Sequence, residues 1–187
     1  MLAQLVRVPA PNGGTVQADP ALRLALDLLA SLEDGRPLVQ AFAEGGVRLM
    51  IAPGTFEDPV AEYDPEAGVV SVDPDVAALA PATVATLLAH EATHVRASID
   101  GTWDREREAL GPTAACLADE LRATLAELQV WQRLYGPGGK PDPVHEYEAA
   151  LNEELAAYAR DPDRHAAEVE ALYAPLCAED GPRPRRG

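Results

Sequence analysis

Cysteine is nearly absent from this chain, with only Cys116 and Cys177 in 187 residues. That scarcity excludes a disulfide framework and a Cys-rich zinc knuckle. It predicts free thiols in a reducing compartment, here the cytoplasm, with Cys116 a buried structural thiol. Basic charge is scarce as well: 15 Lys and Arg face 31 Asp and Glu, for a formal net charge of −16. A phosphate backbone requires a basic surface, so no nucleic-acid partner is expected. No run approaches the roughly 20 apolar residues of a membrane span. Residues 1–20 hold no apolar stretch as long as that of a signal peptide, so no membrane partner is expected either. Lysine occurs once, as Lys140, against fourteen arginines, and isoleucine only twice. Together with abundant Ala, Leu, Pro and Gly, this follows the codon bias of a GC-rich genome and carries no sign of anion recognition.

What is present can build a core. Hydrophobic residues make up 47% of the chain, which rules out a disordered acidic protein. The length suits one domain. Residues 1–19 read as a lead-in with a short strand at 4–8, residues 20–180 as the domain, and 181–187 as a frayed tail. Asp19-Pro20 pairs an N-cap with proline at the first helical position, opening a helix to about Leu32. A second helix is expected over 37–43. Residues 47–51 suit a strand, and 60–63 with Val69–Val72 suit a hairpin, so the sheet has about three strands. The remainder reads as helical: 81–97, a polar irregular stretch at 102–112, 113–135, and two C-terminal helices within about 142–175. Asp142-Pro143 and Asp161-Pro162 would open those last two. The expected fold class is α+β, mainly helical, with a small antiparallel or mixed sheet.

The chemistry lies in His90-Glu91-Ala92-Thr93-His94. Helix residues four apart sit one turn above each other, so both imidazoles can reach one metal ion. Glu91 is then held beside the ion but off it, where it can accept a proton from an activated water. At about 100° per residue, Glu91 falls among Val84, Leu87, Leu88 and Val95. A bland amphipathic helix puts no acid on its apolar stripe. Zinc is the expected ion, and a catalytic zinc usually takes three protein ligands with one position open.

The third ligand has several candidates. Asp100 stands where the metzincin pattern places its last ligand, but the glycine that pattern needs is Ala97 here. Asp104 closes Gly101-Thr102-Trp103-Asp104, which matches an aspzincin element, although the Tyr-Gly that follows in that family is Arg107-Glu108 here. Glu120, on the next helix, borders a stripe of Leu117, Leu121, Leu125 and Leu128. Glu127 lies two turns on, nearly on the same side, whereas Asp119 is expected to face solvent.

The order strand, turn, strand, HExxH helix, and then a helix with Glu120-Leu121-Arg122-Ala123 resembles the minimal gluzincins, bacterial metallopeptidase-like proteins. The resemblance covers about residues 47–135. It implies a zincin-like fold, zinc held by His90, His94 and Glu120, and peptide hydrolysis by a zinc-activated water with Glu91 as general base. In thermolysin-like members an aspartate four residues after the ligand glutamate orients a zinc histidine. Here that position is Thr124, so the histidine's partner is unassigned. The oxyanion stabiliser is unassigned too, among His145, Tyr135, Tyr147 and Tyr158. Val69, Val70, Ser71 and Val72 are expected to form a sheet edge beside the cleft, where an extended peptide or unfolded protein can pair. Two other classes stay open: a non-catalytic zinc-binding scaffold or regulatory protein, and a structural helical domain with a chance motif.

Overall fold

A computed structural model of the chain describes residues 4–53 and 60–178. The first described elements are a hairpin, β1 (Val6–Pro9) and β2 (Thr15–Ala18). Asp19 then caps a 3-10 turn at Pro20–Leu22 by accepting from the Ala21 N–H. After it come α1 (Arg23–Ser31), α2 (Arg36–Glu44), β3 (Arg48–Ile51), β4 (Ala61–Asp64) and β5 (Val69–Val72). The helical half follows: α3 (Pro74–Ala77), α4 (Pro81–Ile99), α5 (Thr102–Leu110), α6 (Pro112–Tyr135), α7 (Glu146–Arg160) and α8 (Pro162–Cys177).

The architecture is α+β, but the sheet has five strands, in the order β1-β2-β3-β5-β4. The inner strands β2, β3 and β5 run parallel, and β1 and β4 are antiparallel to their neighbours. The expected lead-in therefore supplies two strands. β1 overlaps the short strand expected at 4–8, while β2 was not expected; each is only four residues long, and Val8, Val16 and Ala18 enter the core. Val69–Val72 is not the edge that was expected. β3 and β4 pair with it on both sides, and among the described residues the sheet ends at β1 on one side and at β4 on the other. Residues 102–110, expected to be irregular, form α5, a helix that buries none of its residues. α7 starts later than Asp142-Pro143 implied, with the His145 side chain as its cap. The expected tail at 181–187 lies outside the described residues.

Helix α4 organises the molecule. It packs on α1, α2 and α6, and is buried almost all round over its middle turns. The main core joins the sheet to α1, α2 and α4 through residues such as Val16, Leu26, Phe42, Leu49, Val70 and Leu88. A smaller cluster of Leu128, Trp131, Leu151 and Leu155 joins α6 to α7. Buried Glu148 fixes α7 further: it accepts from Thr83 of α4 at 2.6 Å, from the Val144 N–H at 2.8 Å, and from the Lys140 ammonium. A buried carboxylate is tolerated only when so partnered.

The two cysteines are not free thiols. Cys116 near the start of α6 and Cys177 at the end of α8 form a disulfide. Their sequence separation of 61 residues gave no sign that α8 returns along α6. The expectation of a reducing compartment loses its premise, because such bonds persist where the surroundings are oxidising. Among the described residues, no helix is long and apolar enough to cross a membrane.

Candidate metal centre

His90 and His94 lie in the second half of α4, on the face turned to α6. The α6 seam is built from Ala115, Asp119, Ala123 and Glu127, spaced four apart and all buried. Leu117, Leu121 and Leu125, read from sequence as the core stripe, are only half-buried. The small alanines let the two helices approach closely, with carboxylates set between them. Glu120 is brought to the same place: its Oε2 lies 3.5 Å from His90 Nε2 and 3.7 Å from His94 Nε2. One ligand atom from each of the three side chains falls within 4.8 Å of the others, a group that could hold a metal ion.

The opposite ring nitrogens are also held. His94 Nδ1 is 2.8 Å from Asp119 Oδ2, and His90 Nδ1 is 3.2 Å from Glu127 Oε2. An ionised carboxylate can only accept, so each Nδ1 donates, and each Nε2 faces Glu120. Metal-binding histidines have such acceptors as a rule. Asp119, expected in solvent, is 7% exposed and is fixed by Arg122, whose Nη2 lies 2.9 Å away. Arg122 in turn makes a bidentate pair with Glu106 of α5, at 2.7 and 2.8 Å. Glu127, the alternative ligand of the sequence reading, instead orients His90 and accepts from the Tyr147 hydroxyl. Thr124 takes no part, and its buried hydroxyl has no hydrogen-bond partner among the described residues.

The electrostatics favour positive charge at this point. Burial disfavours the protonated form of His90, but Glu120 and Glu127 outweigh it and hold its pKa well above the ordinary value. His94 is raised in the same way, Glu120 and Asp119 prevailing over burial. Two lone pairs and a carboxylate converging on one point repel one another unless protons or a cation lie between them. Glu91 is 4% exposed, and burial first, then Glu120 and Glu127, raise its carboxyl pKa against the pull of both histidines. Glu91 is buried rather than solvent-facing, and the charges that act on it are those of His90, His94, Glu120 and Glu127.

The other candidates lie elsewhere. Asp100 accepts from the Thr102 N–H at the start of α5, and Asp104 is exposed on that helix. Tyr135 packs on Trp131, Tyr158 on His165, and His145 caps α7. Two groups near the centre escaped the sequence reading. Tyr173 of α8 has its pKa pushed up to about 12, by burial first and then by the charges of Glu120, Glu127 and Glu154. Glu154 of α7 is raised to about 7 by burial and by Glu127. Neither stands in a motif, and only the packing of α7 and α8 brings them here. The chain matches no protein-family model, no curated protein and no solved structure.

Proposed function

We propose that this protein is a zinc-dependent peptidase of the gluzincin type, acting on peptides or unfolded protein. The observation that carries the reading is the convergence of His90 Nε2, His94 Nε2 and Glu120 Oε2, with both Nδ1 atoms held from behind by carboxylates. Ligands at 2.0–2.1 Å from a tetrahedral zinc stand about 3.3 Å apart. The 3.5 and 3.7 Å separations from Glu120 are close to that spacing. Two imidazoles and one carboxylate are also a donor set that catalytic zinc uses, with one position left open. Zinc bound there would supply Lewis acidity and lower the pKa of water to about 7.

The chain's own residues do the rest. Glu91 accepts the proton of the attacking water and returns it to the leaving amine, and its raised pKa suits it to that transfer near neutral pH. Asp119 and Glu127 keep the histidines in one tautomer and one orientation. Substrate docks on β4, the edge strand beside β5. The Asp73 N–H donates to Val60 O, which makes that pair a hydrogen-bonded one. Antiparallel alternation then turns Glu62 toward β5 and the backbone groups of Ala61 and Tyr63 outward. An extended peptide can pair with those groups.

Glu91→Gln tests the reading. The amide cannot take the proton, so zinc content should stay near one equivalent while turnover of a quenched peptide falls about 10²-fold or more. Equal turnover by both proteins would remove Glu91 from the mechanism. A second reading, a zinc-binding scaffold without catalysis, draws support from the enclosure of the site. The side chains of His90, His94 and Glu120 are only 10, 15 and 21% exposed. Absence of turnover by zinc-loaded protein on diverse unfolded substrates would favour it.

A further inference from the structure

Cys116 lies one helical turn before Glu120 on α6, and Cys177 lies one turn after Tyr173 on α8. The disulfide thus ties the end of α8 beside a metal ligand, and sets Tyr173 within electrostatic reach of His90, Glu120 and Glu127. We propose that this disulfide is a redox clasp holding α8 across the metal centre, and that its reduction by a dithiol lets α8 swing away and opens the centre. The proposal rests on the metal-centre reading but not on peptidase activity.

Helix α8 lies along α6 and against α7, yet buries little of itself. Of its 16 residues only His165, Val169 and Cys177 are buried, and none belongs to either core cluster. Leu172 and Leu176, on its last turns, are 64 and 51% exposed. Pro175 removes a helical hydrogen bond from the same stretch. The ring nitrogens of buried His165 find no hydrogen-bond partner among the described residues, and Nε2 only faces a Glu154 oxygen at 3.8 Å. An element with so little buried apolar surface opens at low cost once its covalent tie is cut. Nothing in the ligand set would leave with it. His90, His94, Glu120, Asp119 and Glu127 all come from α4 and α6, and Tyr147 from α7.

The exchange chemistry balances. A thiolate of the dithiol attacks the Cys116 sulfur, on the half-buried partner, and Cys177, at 6% exposure, departs as thiolate. The second thiol then resolves the mixed disulfide. Two electrons and two protons pass to the protein, and the reductant leaves as a cyclic disulfide.

The test uses the full chain loaded with zinc and compares three proteins: disulfide-bonded wild type, the same protein reduced with dithiothreitol, and a C116S/C177S variant. Hydrogen exchange across 162–177 and zinc transfer to a chromogenic chelator are read on each. Reduction and the double variant should each speed α8 exchange and zinc transfer by about tenfold or more, with α4 protection retained. Tyr173→Ala, with the disulfide intact, should speed zinc transfer alone. Unchanged α8 exchange in protein that titrates for two thiols would overturn the clasp. So would loss of the far-UV helical signal on reduction, which would make the bond a staple of the whole fold. Unchanged transfer in Tyr173→Ala would overturn the covering role. If no form binds zinc, the metal-centre reading fails, while α8 exchange still decides whether the disulfide holds the helix down.

Discussion

Three neighbouring side chains of α6 show how little separates a candidate ligand from its support. Glu120 aims its carboxylate at both Nε2 atoms, while Asp119, one residue earlier, reaches the far side of His94. Thr124, one turn on, sits on the buried seam with its hydroxyl unpartnered among the described residues. Asp119→Asn and Glu127→Gln should each weaken zinc binding about 10–100-fold, because the amide carries no charge to hold the Nδ1 proton. Thr124→Val should leave affinity unchanged and stability equal or higher, since it replaces an unsatisfied hydroxyl with a methyl of the same shape. A competition titration against a chelator measures all three. Full affinity in Asp119→Asn would mean that His94 needs no acceptor. His90, Glu91 and His94 were legible because their spacing lies within one helix. The acceptors were not legible, because the leucines of α6 masked a seam of alanines and acids that only the α4 contact defines.

Among the elements, the helices that pack by repeating apolar residues were readable, and α4, α6 and α8 stand nearly where their caps and breakers set them. The sheet was harder. Four-residue strands carry too short an alternation to separate from turns, and strand order is a tertiary property that no local pattern holds. Crossing to β5 from β3 before the chain's β4 makes the last hairpin point outward, so the edge falls on the first strand of that hairpin and not on the second. Docking on β4 can be tested by proline at single positions. Ala61→Pro removes an outward donor and spares the ladder, so fold and zinc content should persist while kcat/KM on an extended peptide falls several-fold. Glu62→Pro removes a donor from its pair with Ser71 and should lower thermal stability as well. Full peptide turnover in folded, zinc-loaded Ala61→Pro would exclude β4 as the docking edge.

At the scale of the whole molecule, the disulfide is a term that local reading omitted entirely. It closes a loop of 61 residues that runs through α6, α7 and α8. In the chain-entropy account, a loop of that length removes enough freedom from the unfolded ensemble to stabilise the native state by about 4 kcal/mol. Domains are stable by only about 5–15 kcal/mol in total, so the bond is a large share. The main core nevertheless contains neither cysteine, and rests on the sheet with α1, α2 and α4. The C116S/C177S variant should therefore still fold, with its urea midpoint well below that of the oxidised protein. Its m-value should rise, because an unfolded chain without the cross-link exposes more surface. Equal midpoints would show that the bond does not constrain the unfolded chain. A sloping, non-cooperative transition would show that α6 to α8 cannot stay docked to the core without it.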